Sequence, residues 1–155
     1  AAQGGGFGKW SLHAPRGPPN NRQIRYADVL LMYAEACAEL GADDEAIASL
    51  NKVRERVSMP LYPNYDIAIN GKTITPDLRS AIRHERRMEL AMEGHRWFDL
   101  CRWGIAKETM DAYKATETAE CQSQMAEFIK GKHELFPIPF DEIDLNPSLE
   151  QNAMY

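Results

Sequence analysis

Apolar residues recur along this chain at helical spacing, in segments separated by short stretches that break a helix. The first segment, QIRYADVLLMYAEACAEL, predicts a long helix over residues 23–40, with Asn20 or Asn21 as candidates to cap its start. Gly41 is placed to end this helix in a left-handed conformation. A second helix, DEAIASLNKVRERV, follows after a turn of two or three residues, and Pro60 closes it. The two helices are therefore predicted to form an antiparallel hairpin.

The residue sizes in this hairpin are typical of a tetratricopeptide unit. Small side chains let two helices approach closely, and large ones fill the groove beside the contact. The small residues are Ala34, Gly41 and Ala46, and the large ones are Leu30, Tyr33, Leu50 and Val53. A single unit of this kind needs neighbouring elements to cover its remaining apolar face.

The middle of the chain changes to a strand pattern. The sequence YDIAINGKTIT places Asn-Gly between two alternating runs, which predicts a β-hairpin with a type I′ turn near residues 66–75. Thr75, Pro76 and Asp77 then predict a helix start with the threonine hydroxyl as cap. That helix is predicted to run to about Met92.

A second helical hairpin follows in the prediction. Gly94 permits a tight turn, and another helix begins around His95. Residues 105–130 favour helix, although their apolar pattern is irregular. The tail contains three prolines and predicts an extended strap with one helical turn near Asp141 to Leu145.

The two ends of the chain frame the domain organisation. Residues 1–22 are rich in Gly, Pro and Asn and are expected to form a loop or arm. The remainder, 23–155, is expected to be one all-α domain of tetratricopeptide-like helical hairpins with a small β-hairpin and a C-terminal strap. The chain starts without Met or a signal pattern, so we expect either a processed N-terminus or a piece of a longer protein.

Charge and composition exclude several classes of function. The net charge is −5 and the charges are interleaved, so no basic face suited to nucleic acid stands out. The longest apolar run, Val29 to Ala34, is far shorter than the roughly 20 residues that span a bilayer. The three cysteines and four histidines fit no metal or redox spacing. We expect no metal and no cofactor, and we expect Cys37 and Cys101 to be buried thiols.

The segment HERRMELAMEGHRWFDLCRWG carries eight formal charges and three large aromatic residues. On a helical wheel Glu85 and Glu89 fall on the apolar stripe of their helix, in line with Leu78, Ile82 and Met92. Arg83, Arg86 and Arg87 fall around the other side. Buried carboxylates need cationic partners. The sequence therefore predicts a structural ion network of Glu85 and Glu89 with Arg25, Arg96 and Arg102 on neighbouring helices.

A catalytic interpretation competes with this network. One helical turn could hold the carboxyl groups of Glu85 and Glu89 about 5 Å apart, the separation in retaining glycosidases. Catalysis would also need a substrate cleft above them, whereas a stripe shared with Ile82 and Met92 favours packing. Nearby, Trp97 is expected in the core. Trp103 is expected in the core or an interface, with stacking on an arginine or contact with a ligand as the alternatives.

Four blocks in this order identify a family. They are IRYADVLLMYAEACAELG, DEAIASLNKVRERV, LRSAIRHERRMELAMEGHRWFDLCRWG and LFPIPFDEIDLNPSLEQNAMY. Together they resemble the C-terminal region of the SusD/RagB family of nutrient-binding outer-membrane lipoproteins, over about residues 24–155. Two departures are visible: Ala153-Met154 replace a usual Pro-Gly, and residues 106–133 match no block of the family.

The resemblance implies a function as well as a fold. Such proteins are not enzymes; they hold glycans or other nutrients at the cell surface for a SusC-like TonB-dependent outer-membrane transporter. By resemblance, the chain is the C-terminal third of a lipid-anchored protein, and the anchor lies outside it. The ERRxELAxEG block is a scaffold signature in the family, in agreement with the wheel. The alternative is a helical-repeat protein–protein interaction module without a small-molecule ligand of its own.

Candidate ligand contacts were sought among loop aromatic residues. Sugar binding usually needs aromatic faces for stacking, with amide and charged groups nearby for the hydroxyls. Trp10, Tyr62 and Tyr65 meet this criterion, because each is in a predicted loop with Asn or Lys nearby. A packing or interface role is the alternative for each of them.

Overall fold

The structure, a computed structural model, describes residues 23–69 and 71–155. The described part is mostly helical, with a tetratricopeptide-like hairpin and one small antiparallel sheet, which confirms the predicted fold class. The elements in chain order are α1 (Tyr26–Leu40), α2 (Asp43–Arg56), β1 (Ile67–Ile69), β2 (Lys72–Ile74), α3 (Leu78–Glu89), α4 (Arg96–Arg102), α5 (Ala106–Thr116), α6 (Ala119–Gln124) and α7 (Phe140–Leu145). The predicted arm 1–22, with the candidate caps Asn20 and Asn21, lies outside the described residues.

Helices α1 and α2 form the predicted hairpin. Gly41 adopts a positive φ of 76° at the end of α1, and Ala42 donates its backbone N–H to the carbonyl of Cys37. Ala34 and Ala46 are fully buried, so the two helices approach closely where the sequence has small side chains. The first helix begins at Tyr26, three residues later than predicted, and Arg25 occupies its N-cap position.

The β-hairpin lies where Asn-Gly predicted it. Ile67 pairs with Ile74 and Ile69 with Lys72, which leaves a two-residue turn. Gly71 has a φ of 74°, as a type I′ turn requires at its second position. The first turn position is not among the described residues, so the turn type stays a prediction.

Helix α3 is capped by a different residue from the one predicted. The carboxylate of Asp77 accepts the backbone N–H of Ser80 at 2.7 Å. The hydroxyl of Thr75, predicted as the cap, instead donates to Asp66 at 2.6 Å. The prediction was wrong because Asp77 directly precedes the first helical residue, Leu78, and so occupies the cap position itself.

The end of α3 also differs from the prediction. The helix stops at Glu89, and Met92 and Gly94 both have positive φ values in the turn that follows. Met92 is fully exposed, so its assignment to the buried stripe was wrong. A helical wheel assumes that every residue is helical, so it placed Met92 on the stripe although the helix ends at Glu89.

The main hydrophobic core lies where α1, α2 and α3 meet. Its largest fully buried side chains are Leu31, Leu50, Val53 and Ile82. Cys37 is buried in the same cluster, as expected, whereas Cys101 is only half-buried. This core carries the inner face of α3, from which Glu85 projects.

A smaller core supports the second half of the chain. Leu100, Ala106 and Phe128 are buried there, and the ring of Trp97 lies 5.9 Å from that of Phe128 in an edge-on arrangement. The prediction that Trp97 packs in a core agrees with this geometry. In the C-terminal strap, the side-chain amide of Gln151 forms two hydrogen bonds with the backbone of Ile138, which holds the two ends of the strap together. No helix within 23–69 or 71–155 has both the length and the apolar character to cross a bilayer.

Candidate functional site

Glu85 forms an ion pair with an arginine that the sequence analysis did not select. Glu85 is 5% exposed on α3, and one of its oxygens, Oε2, accepts from Nη1 of Arg54 on α2. The Nε of Arg54 donates to the carbonyl of Pro60 at 2.6 Å, which fixes the guanidinium. A signal for Arg54 existed in the sequence, because it follows Leu50 by four residues and therefore lies on the buried stripe of α2.

Glu89 is held by two arginines. Its Oε1 accepts a hydrogen bond from Nη1 of Arg25 at 2.5 Å. Nη2 of Arg56 donates to Oε1 and Oε2 of Glu89 at 2.7 and 2.8 Å. The side chain of Glu89 is 8% exposed. Arg25 also contacts Glu93 at the surface. Arg25, before the first residue of α1, thus pairs with Glu89 at the end of α3, as the sequence analysis expected.

Arg96 and Arg102 do not reach Glu85 or Glu89. Arg102 pairs with Asp99 at 2.9 Å and with Glu35 of α1 at 2.5 Å. Arg96 forms no ion pair with any residue that the structure describes, and burial lowers its pKa. The expected pairing fails because α4 lies where its Arg102 reaches Glu35 of α1 and its Asp99 reaches Arg86, away from Glu85 and Glu89.

Arg86 lies in the interior, although the wheel placed it on the outer side of α3. It is 4% exposed and donates to Asp28 of α1 at 3.0 Å and to Asp99 of α4 at 3.0 and 3.2 Å. The helix is therefore covered on more than one side. A single amphipathic stripe describes a helix with one buried face, and that assumption fails for α3.

Trp103 completes this second group of charges. Its indole N–H donates to Glu35 at 2.6 Å, and the guanidinium groups of Arg83 and Arg102 each lie 4.9 Å from its ring centre. Burial opposes ionisation of Glu35, but hydrogen bonds from Arg102 and Trp103 hold its pKa below the ordinary value. Of the roles considered for Trp103, stacking on an arginine matches this geometry.

The loop aromatic residues have different surroundings from one another. Tyr62 is half-buried against the main core, and Asn51 bonds its backbone N–H and carbonyl. The guanidinium of Arg54 lies 3.6 Å from the ring centre of Tyr65 and covers that face. Burial raises the pKa of Tyr65 to about 12. Trp10 lies outside the described residues.

The hydroxyl of Tyr65 is sealed from solvent and has no hydrogen-bond partner within the described part of the chain. Leaving a buried hydroxyl unpaired is unfavourable by roughly 1–3 kcal/mol. An unsatisfied group of this kind calls for a specific explanation. It lies beside the ion pair of Arg54 and Glu85, in the wall of a cavity.

This cavity has a volume of about 360 Å³ and lies between the end of α2, the start of the β-hairpin and α3. Its lining combines apolar side chains with charged and hydrogen-bonding ones. The lining residues are Val57, Met59, Ile67 and Met88, with Arg54, Tyr65, Asp66, His84, Glu85 and Glu89. Burial raises the pKa of Glu85, and burial lowers that of His84, which favours its neutral form. No three His, Cys, Asp or Glu side chains of the described residues are grouped to hold a metal ion.

Comparison with known proteins identifies a family for this chain. The sequence model of the SusD family matches residues 14–155. One SusD-like protein of Formosa agariphila is 37% identical over 136 residues, which are 85% of this chain and 24% of the relative. Another from the same organism is 33% identical over 145 residues, which are 90% of this chain and 26% of the relative.

A solved structure agrees with the sequence relatives. The crystal structure of a SusD homolog from Bacteroides thetaiotaomicron matches with a TM-score of 0.65 at 36% identity, covering 85% of this chain and 26% of that one. The chain therefore spans about a quarter of the length of the relatives it matches. With the helical fold and the ion-paired ERRMELAMEG block in place, these matches show that the chain belongs to the SusD family.

Proposed function

We propose that this chain is part of a non-catalytic protein that binds glycans or other nutrients at the outer-membrane surface. The bound nutrient is then passed to a SusC-like TonB-dependent transporter. Family membership over residues 14–155 is the observation that carries this proposal, because it supports nutrient binding at the cell surface in general. In this proposal residues 1–22 are an arm, 23–155 are a helical domain, and a lipid anchor belongs to the longer protein.

The surroundings of the two glutamates support a binding role over glycoside cleavage. Both oxygens of Glu89 are occupied by guanidinium groups of Arg25 and Arg56. A carboxylate held in this way is a poor nucleophile and a poor base, so Glu89 is unsuited to act as the second catalytic carboxylate beside Glu85. The charged block instead joins α1, α2 and α3 as a scaffold.

Calorimetric titration with a panel of oligosaccharides tests the proposal. The longer protein that contains this chain is expected to bind at least one member of the panel, and the 155-residue chain alone is expected to bind it weakly or not at all. Incubation of the ligand with the longer protein should leave it uncleaved. Turnover that Glu85→Gln abolishes, in a variant that is still folded, would instead establish a glycosidase.

A second candidate function rests on the outer face of α1. Tyr26, Val29, Tyr33 and Leu40 are between 44% and 85% exposed on that helix. An exposed apolar helix face of this kind favours contact with another protein or another part of the longer chain. A peptide partner retained on the immobilised chain in the presence of excess glycan would favour an interaction module.

A further inference from the structure

We propose that the cavity between α2, β1 and α3 is a binding site for a single neutral sugar ring. The inference rests on the proposed function for its ligand class, but it adds a site within this part of the protein. The cavity of about 360 Å³ is at the lower end of the range of about 300–1,000 Å³ that small-molecule sites occupy. A site of this size suits one ring better than an extended oligosaccharide.

The ion pair in the cavity wall has unused hydrogen-bonding atoms. Only Oε2 of Glu85 accepts from Arg54, and Oε1 accepts no hydrogen bond from the described residues. The side chain of Glu85 is 7% exposed. Nη2 of Arg54 likewise donates to no described residue. Both residues line the cavity, so Oε1 and Nη2 are the atoms of the ion pair that are left to bond a ligand there.

A sugar hydroxyl matches this pair, because it donates and accepts at once. Two neighbouring hydroxyls on one ring can donate to Glu85 and accept from Arg54 without breaking the ion pair. The neutral imidazole of His84 and the carboxylate of Asp66 line the same cavity and offer further partners. Hydrogen bonds to charged groups stabilise a complex more than hydrogen bonds between neutral groups do.

The opposite part of the lining is apolar and exposed. Val57, Met59 and Met88 are 45%, 51% and 60% exposed, and Ile67 is buried behind them. The C–H face of a pyranose ring can pack on such a surface while its hydroxyls point to the ion pair. Apolar walls with a few placed polar groups are the usual composition of a small-ligand site.

The charges around the cavity select a neutral ligand. Arg54 is paired with Glu85, and Glu89 is paired with Arg25 and Arg56. The charges of the wall therefore already neutralise one another and offset little of the cost of desolvating a charged ligand. A neutral ring avoids that cost.

The unpaired hydroxyl of Tyr65 fits the same assignment. It lies in this wall without a partner among the described residues. Natural proteins keep such locally unfavourable groups mainly at functional sites.

Two methionines provide a matched pair of variants for the test. Met88 lines the cavity and is 60% exposed, whereas Met92 lies in the following turn and is fully exposed. Lysine at either position is tolerated by the fold, because neither side chain is buried. Met88→Lys places a cation and a longer side chain in the cavity, and Met92→Lys does not.

The experiment titrates the isotope-labelled 155-residue chain with methyl glucoside, methyl galactoside and methyl mannoside, followed by NMR. At least one glycoside should cause saturable shifts around Ile67 and Met88, with a Kd on the order of millimolar, as expected for a small ligand. Met88→Lys should weaken that Kd at least about tenfold, and Met92→Lys should leave it within about twofold. Glucosamine and glucuronate should bind more weakly than the neutral glycoside.

Three results would overturn the inference. They are the absence of saturable shifts with every glycoside, equal effects of the two lysine variants, and tighter binding of either charged sugar. None of these results contradicts the proposed function, because that function is tested by oligosaccharide binding to the longer protein. If the glycoside titrations fail and the longer protein with Met88→Lys still binds oligosaccharides, the cavity site is rejected and the general binding role stands.

Discussion

Arg54 of α2 and Glu85 of α3 form an ion pair in which the two side chains are 5% and 7% exposed. Two such charges are stable away from water only while each neutralises the other. The pair joins the hairpin of α1 and α2 to α3 beside the main core. It also borders the cavity for which we propose a sugar ligand.

Replacing Glu85 by glutamine should destabilise the protein strongly. Glu85→Gln keeps the size of the side chain but leaves the guanidinium of Arg54 buried without a counter-charge, which typically lowers the free energy of unfolding by about 3–5 kcal/mol. Urea denaturation measures the change. The matched control is Glu39→Gln, because Glu39 pairs with Arg79 at 3.0 Å and both are more than half exposed. The control should lose no more than about 1 kcal/mol, and equal losses in the two variants would contradict the buried pair.

Arg86 should not tolerate lysine. Its planar guanidinium reaches Asp28 and both oxygens of Asp99 at once. One ammonium cannot reproduce that geometry, so Arg86→Lys should lower the free energy of unfolding by about 2–4 kcal/mol. Thermal and urea unfolding provide the measurement, with Arg79→Lys at the surface as control. A melting temperature for Arg86→Lys that equals that of the control would show that the three-way contact is not stabilising.

Tyr65→Phe should leave stability unchanged or raise it. The variant removes a buried hydroxyl that has no partner among the described residues and keeps the ring beneath Arg54. Removing an unsatisfied polar atom relieves a desolvation penalty of roughly 1–3 kcal/mol. Tyr113→Phe, on the exposed face of α5, should change the free energy of unfolding by less than about 0.5 kcal/mol. A clear loss of stability in Tyr65→Phe, absent from the control, would show that the hydroxyl is bonded after all.

The contribution of Glu35 should depend on pH in a defined direction. Hydrogen bonds from Arg102 and Trp103 outweigh burial and hold its pKa below 4.5. A carboxyl with a depressed pKa stabilises the fold above its ordinary pKa, and this stabilisation is lost as the pH falls through the folded value. The difference in the free energy of unfolding between the wild type and Glu35→Gln should therefore shrink from about pH 6 to about pH 3. A difference that grows toward acid would show the opposite shift.

Much of the fold could be predicted from the sequence, because its determinants are local. Gly41 ends α1 and Asn-Gly marks the β-hairpin through backbone conformations that few residues adopt. The location of Glu85 and Glu89 on a buried face also followed from periodicity. These properties depend on a few consecutive residues and need no knowledge of neighbouring helices.

The partners of the charged residues could not be predicted in the same way. The spacing of Arg54 from Leu50 indicates that Arg54 is buried, but the partners of Arg54 and Arg86 depend on how the helices cross in space, and a wheel treats each helix alone. Arg102 pairs elsewhere because a turn of a few residues sets the direction of α4. The cavity is also a product of tertiary packing, so nothing in the spacing of Met88 or Tyr65 reveals it.

A double-mutant cycle between Arg54→Ala and Glu85→Ala tests most directly whether the charged block is a scaffold. The free energies of unfolding of the wild type, both single variants and the double variant would be measured in urea. If the pair is a scaffold, the double variant should lose less free energy of unfolding than the two single variants lose together. The difference is the coupling energy, and it should be about 2 kcal/mol or more. Losses that add within about 0.5 kcal/mol would contradict the account, because they would show that the two side chains do not stabilise each other.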